Sequence, residues 1–248
     1  MAFSDDEVER YARHLVLREV GGPGQQALKA ARVALVGAGG LGAPAALYLA
    51  AAGIGALTLV DPDVVDLSNL QRQVLYAEAD LGRPKVEAAA ARLRTLNPHV
   101  GVTAIQVALT GETALDLLSG HDLVLDGTDD FATRFAVNEA CFQLGLPLVS
   151  GAMGRWTGQV GVFGARPCYR CLVPDIPPDA ETCSAVGVIG ALAGVIGSMM
   201  ALEAIKLITG AGEPLTGRLL IYDALSAQTR TVKIGADPGC PTCGGLEH

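Results

Sequence analysis

The run "RVALVGAGGLGAPAALYLAAAGIGALTLVD", residues 32–61, constrains this chain more than any other part of it. An apolar strand, a glycine-rich turn, an apolar helix ending on Gly53 and a second apolar strand follow one another directly, which is the pattern of a βαβ unit. The two strands of such a unit are parallel, and parallel strands need helices over both faces. The alternation continues: "RPKVEAAAARLRTLNP" reads as a helix closed by Pro98, "GVTAIQV" as a strand, "GETALDLLSG" as a short helix and "DLVLDGTDD" as a strand. The helix "FATRFAVNEACFQLG" and the strand "LPLVSG" complete it. The expected fold class is α/β, a Rossmann-like doubly wound and mostly parallel sheet. With 248 residues, 50% of them hydrophobic and 18% charged, the chain has enough apolar material for one such domain with modest additions.

Outside that core, "DDEVERYARHLVL" and "PGQQALKAA" read as two amphipathic helices separated by "REVGG", an N-terminal arm over residues 1–30. The nucleotide-binding part would occupy residues 31–157. From about Gly158 the pattern changes to "GQVGVF", a cysteine-bearing loop, a long apolar helix, and the strands "RLLIYD" and "QTRTVKI", which resemble a hairpin. This part, residues 158–245, reads as a C-terminal antiparallel extension of the same sheet, so that 1–245 form a single domain; residues 246–248, "LEH", read as a tag remnant. The uncharged run from Ala185 to Leu202 is long enough to cross a bilayer. The alternative is a buried helix in which Gly190 and Gly194 permit close backbone approach, and it is favoured because Glu203 and Lys206 follow.

A net charge of -8 argues against nucleic acid or an anionic membrane as the main partner. The acidic start "MAFSDDEVER" lacks the basic and apolar regions of a secretory signal, so a cytoplasmic protein is expected.

Four of the six cysteines form Cys168-x-x-Cys171 and Cys240-x-x-Cys243. Each short spacer lets two thiolates point at one ion, and four thiolates close the coordination sphere of a structural zinc. Two redox dithiols or two disulfides are the competing readings. Cys141 falls in the apolar pattern of a helix and reads as core, whereas Cys183 sits in "PPDAETCSAVG", just before the apolar helix, where a thiolate would be stabilised.

Gly37, Gly39, Gly40 and Gly42 supply the tight turn and open backbone that a phosphate at a helix N-terminus requires. Asp61, ending the second strand, is placed to accept a hydrogen bond from a ribose hydroxyl. Both nicotinamide dinucleotides and ATP carry that ribose. The polar loop beyond it holds Asn69, Arg72 and Gln73; Arg72 and Lys85 suit a polyphosphate, and Asp129 in "DGTDD" ends a later strand where ligands of open α/β sheets bind. Hydride transfer would want an acid–base group, yet none of His14, His99, His121 and His248 has a convincing catalytic setting. Solvated surface charge is the ordinary alternative for Arg72 and Lys85.

Taken together, "RYARH", "GAGGLG", "DPDVVDLSNLQRQ", "GRPK", "DGTDD", both CxxC pairs and "TCSAVG" resemble the MoeB/ThiF family, bacterial relatives of ubiquitin-activating enzymes. The resemblance runs from about Glu9 to Cys243. It implies ATP-dependent adenylation of the C-terminal glycine of a ubiquitin-fold sulfur carrier protein. By similarity, Gly39, Gly40, Asp61, Asp63, Asn69, Arg72, Gln73, Lys85 and Asp129 would bind ATP and its Mg2+, and Arg13 would reach the phosphates of a neighbouring subunit in a homodimer. Cys183 matches a position that forms a covalent intermediate with the carrier in some relatives. Asp130 stands where the family more often has asparagine, adding a negative charge near the metal. The chain ends after the second CxxC, so sulfur is expected from a separate donor protein. A catalytically silent zinc-containing scaffold and an NAD-dependent oxidoreductase are the competing functions.

Overall fold

A computed structural model of the chain describes residues 3–176 and 187–245. Eight strands form one sheet in the order β3-β2-β1-β4-β5-β6-β7-β8. Strands β1 (Arg32–Val36), β2 (Ala56–Val60), β3 (Gly101–Ile105), β4 (Leu123–Asp126) and β5 (Leu148–Gly154) are mutually parallel. Strands β6 (Thr157–Phe163), β7 (Arg218–Asp223) and β8 (Gln228–Lys233) add to β5 in antiparallel succession. The mostly parallel sheet with an antiparallel C-terminal extension is thus the architecture found.

The sequence makes these strands because parallel strands at the centre of a sheet lack a polar face. Val33, Ala34, Leu35 and Val36 are buried in succession along β1, as are all four residues of β4. Two cores result, one per face. Helices α4 (Gly42–Ala51), α5 (Lys85–Leu96) and α9 (Gly190–Thr209) cover the first with Leu49, Ala89, Leu93, Ile196 and Met200. Helices α6 (Ala114–Leu118) and α7 (Phe131–Leu144) cover the second with Leu118, Val137 and Cys141. Cys141 is therefore core, and burial pushes its thiol up out of the reactive range.

Three details depart from the sequence reading. The first arm helix is broken: α1 (Asp5–Arg10) and α2 (Ala12–Leu15) meet at Tyr11, whose side chain turns into the body, and α3 (Gly21–Ala30) follows. β4 stops at Asp126, where its pairing with β5 ends at Ser150; Gly127 to Asp130 form a loop instead. The apolar helix extends to Thr209, so Glu203 and Lys206 lie within it, paired at 2.5 Å, and Glu203 also accepts from the Leu215 amide at 2.7 Å. This α9 is long and apolar enough to cross a bilayer, but it packs along α4 and across β5 and β6 as a core helix. Of its two paired glycines only Gly190 is a close approach, since a Cβ there would meet the Gln71 carbonyl oxygen at 2.0 Å, whereas Gly194 faces open space.

Candidate functional site

Successive crossovers run from β1 toward β3 on one side and from β4 toward β5 on the other, so the carboxyl ends of β1 and β4 open a crevice between them. Ligands of doubly wound sheets bind at such a switch point. The crevice here is a cleft of about 730 Å³.

Ten residues expected from the sequence line it: Gly37, Gly39, Gly40, Asp61, Asp63, Asn69, Arg72, Gln73 and Lys85 on one side, and Asp129 from across the switch point. The turn between β1 and α4 forms the floor. No side chain caps α4 there, and although the Ala43 amide donates to the Gly39 carbonyl at 2.9 Å, the positive end of the helix is left to suit a phosphate. A Cβ on Gly39 would meet nothing nearer than the Gln73 Nε2 at 3.6 Å; packing does not require this glycine, and its bareness leaves room for a ligand.

Asp61 directly follows β2 and is buried. Its Oδ2 accepts from the Ala38 amide at 2.7 Å and its Oδ1 from the Asp63 amide at 2.9 Å. It therefore ties the glycine turn to β2 and still has lone pairs for a ribose hydroxyl. Burial raises its pKa, with Lys85 and the two amides working the other way. The Tyr76 hydroxyl, donating to the Ala38 carbonyl at 2.7 Å, supports the same turn from below.

Lys85 begins α5 with its side chain buried, and its Nζ reaches the exposed Asp63 carboxylate at 2.8 Å. The Arg72 Nη1 donates to the Ser68 carbonyl at 3.1 Å, and the Asn69 Nδ2 to the Ser68 hydroxyl at 3.3 Å. Gln73 is buried, yet its Oε1 has no hydrogen-bond partner among the described residues, an orphan acceptor facing the cleft wall. Cations and side-chain amide donors thus line the space above the glycine turn.

Asp129 is exposed in the cleft, and Asp130 next to it is drawn into capping α7, accepting from Ala132 N at 3.3 Å and Thr133 N at 2.7 Å. Burial opposes the Asp130 charge, but those hydrogen bonds outweigh it and hold its pKa below the usual carboxylate range. The extra carboxylate relative to the family pattern is therefore a helix cap. Arg13 is exposed on α2 and lies outside the lining of this cleft. Cys183 lies outside the described residues.

Arg134 was missed by the sequence reading. It lines the cleft although it is buried, on the first turn of α7 beside the buried Asp126. In the sequence it resembles any cation on a helix face, and only its position between Phe131 and Phe135 marks it.

The four cysteines of the two CxxC units come together, their sulfurs all within 4.8 Å of one another. Cys168 and Cys240 are 3.5 Å apart, Cys171 and Cys243 3.3 Å. Four thiolates about 2.3 Å from a tetrahedral zinc lie about 3.8 Å apart, so the cluster suits that ion. All four are free thiols with one shared centre, which fits neither two disulfides nor two separate dithiols. The cluster holds the segment after β8 against α8 (Tyr169–Leu172), and among the described residues no cysteine lines the cleft.

Comparison with known proteins places this arrangement. The ThiF family profile matches residues 11–242. The chain is 48% identical over 253 residues to a sulfur carrier protein adenylyltransferase of Thermus thermophilus, covering 98% of this chain and 93% of that one. It is 48% identical to the molybdopterin-synthase adenylyltransferase of Escherichia coli, covering 97% and 98% respectively. Among solved structures, E. coli MccB crystallised with ATP superposes with a TM-score of 0.82 at 25% identity, over 94% of this chain and 74% of that one. The chain belongs to the ThiF family, as do these two adenylyltransferases to which it is 48% identical.

Proposed function

We propose that the chain adenylates the C-terminal glycine of a ubiquitin-fold sulfur carrier protein ending in Gly-Gly. The observation that carries this reading is the convergence of Arg72, Lys85, Gln73 and Asp129 on the glycine turn, a polyphosphate site in the cleft of a ThiF-family chain. In the reaction, a carboxylate oxygen of the carrier attacks the α-phosphorus of ATP in line. The new O–P bond forms an acyl adenylate, and the bond to the β-phosphate oxygen breaks, its electron pair leaving with pyrophosphate. A carboxylate is already ionised at neutral pH, so no general base is required.

The chain's own residues then hold and neutralise. Arg72 and Lys85 compensate the charge that grows on the transferring phosphorus and the leaving pyrophosphate. Asp61 accepts from the ribose, Asn69 and Gln73 orient the phosphates, and Gly39 and Gly40 let them approach the backbone. Asp129 and Asp63, which both line the cleft, would offer oxygen ligands to the Mg2+ that accompanies ATP, and the ion would lower the charge on the phosphates. Arg13, exposed on α2, would serve the cleft of a second copy, making the working unit a homodimer. The cysteine cluster would hold a structural Zn2+, and a separate donor would supply sulfur after adenylation. Cys183 would form the covalent link to the carrier in that later step, a role that full sulfur transfer by Cys183→Ala would remove.

The test is exchange of labelled pyrophosphate into ATP with Mg2+ and a panel of Gly-Gly-ended carriers, with Asp129→Ala as control. Exchange that depends on one carrier supports adenylation and names the carrier. Tight carrier binding without exchange for any of them would replace this reading with a silent scaffold.

A further inference from the structure

We infer that Arg134 is a positioning residue for Asp129, its guanidinium fixing the loop at the switch point and so setting where the Asp129 carboxylate faces the cleft. This rests on the nucleotide-binding role proposed for Asp129. β4 ends at Asp126, while β5 runs on to Gly154 paired only with β6. The β4–β5 ladder ends at the Asp126–Ser150 pair, so the Thr128 carbonyl in the loop and the Gly151 carbonyl on β5 lie beyond it. The Arg134 guanidinium bridges the two. Its Nη2 donates to the Thr128 carbonyl and, at 2.7 Å, to the Gly151 carbonyl. Its Nη1 donates to the Ser150 hydroxyl at 3.0 Å and reaches Asp126 Oδ2 at 3.4 Å.

Asp126 completes the clamp, because its Oδ1 accepts from the Thr128 amide at 3.0 Å and the Thr128 hydroxyl at 2.6 Å. Ser150 Oγ donates to its Oδ2 at 3.1 Å. Thr128 is thereby held through its amide, hydroxyl and carbonyl, while on the other side Asp130 is fixed as the cap of α7. Asp129 sits between these two fixed points and is itself exposed. A lone cation in the first turn of a helix opposes the helix dipole, so stability of α7 gives no reason for arginine there. The planar five-donor fork does, since it can satisfy two carbonyls, a hydroxyl and a carboxylate at once where an ammonium could not.

The experiment measures ATP binding by calorimetry across a Mg2+ titration, for the wild type and Arg134→Lys, alongside thermal unfolding and carrier-dependent exchange. The expected result is that Arg134→Lys needs at least tenfold more Mg2+ to reach the affinity that Mg2+ gives the wild type. Exchange should fall through kcat, with KM for the carrier unchanged. A variant with a lower unfolding temperature but a wild-type Mg2+ requirement would overturn the inference, since a merely structural clamp would move only the former. Should Arg134→Lys not fold, Thr128→Val removes the hydroxyl bond from the same loop and keeps the Arg134–Asp126 pair. It is expected to shift the Mg2+ requirement in the same direction, and no shift would overturn the inference. Wild-type protein that binds ATP with Mg2+ but exchanges with no carrier would defeat the adenylation reading, and the Mg2+ titration would still decide the role of Arg134.

Discussion

The Asn97 Nδ2 donates to the Tyr11 hydroxyl, 86 residues before it, at 2.8 Å and to the Ala50 carbonyl at 2.7 Å, tying the N-terminal arm to the end of α4. Tyr11 separates α1 from α2, and His14, at the other end of the same turn, shares a 3.0 Å hydrogen bond with the buried Gln25. Arg13 is exposed between these two anchors. Gly53 makes the contact possible, since a Cβ there would meet the Tyr11 ring at 2.3 Å and its φ of +82° is in the left-handed region.

Gly53→Ala is therefore expected to displace Tyr11 and to cost about 1–3 kcal/mol of stability, read by chemical denaturation. Tyr11→Phe keeps the ring and loses one hydrogen bond, for about 1 kcal/mol. If Arg13 serves a neighbouring cleft, both variants also slow pyrophosphate exchange. Gly53→Ala as stable as the wild type would show that the arm does not need this seat.

Removing the cleft charges should separate activity from stability. Asp129→Ala and Arg72→Ala are each expected to lower the exchange rate by about 10²–10³-fold. Asp129 is exposed, so the unfolding free energy of Asp129→Ala should stay within about 0.5 kcal/mol of the wild type. A fall in rate that tracked a fall in stability would point to a structural role instead.

Metal content provides an independent check on the cysteine cluster. Purified protein is expected to carry about one zinc per chain by elemental analysis, the capacity of four thiolates around one centre. Its removal by a chelator should lower the unfolding midpoint by at least about 5 °C, on the order of 2 kcal/mol for a chain of this size. Proteolysis after β8 should then become easier. A chain with no bound metal and an unmoved midpoint would rule out the zinc clip.

Acid should release the arm at α1. Glu7 is buried and accepts from the Lys29 Nζ at 2.8 Å, and the hydrogen bond from Lys29, before any other cause, holds its pKa below the usual carboxylate range. A carboxylate whose folded pKa is depressed contributes stability that is complete above its unfolded pKa and is lost as pH falls through the folded one. Amide protection over residues 5–10, taken as exchange relative to the intrinsic rate at each pH, is thus expected to be flat between about pH 8 and pH 6 and to fall only in acid, below the unfolded carboxylate pKa. Glu7→Gln should already exchange fast at neutral pH. An acid step that survives in Glu7→Gln would belong to another group.

The sequence by itself determined the elements whose signal is local. Apolar runs with glycine turns specify β1, α4 and β2, because side-chain period and turn chemistry act over a few residues. The spacing inside each CxxC and the polar loop from Asn69 to Gln73 were legible for the same reason, and the cleft gathers those loop residues as expected. Tertiary structure alone decided what depends on distant partners. Tyr11 breaks the arm helix because Asn97 and Gly53 receive it, and β4 stops at Asp126, where its pairing with β5 ends while β5 runs on beside β6. Asp130 becomes a cap only once that loop has formed. Arg134 reads in one dimension as a surface charge; two carbonyls beyond the end of the β4–β5 ladder, one from its own loop and one from a neighbouring strand, make it a buried clamp. A hydrogen bond between groups far apart in the chain has no local pattern to announce it, and those bonds are what orient this site.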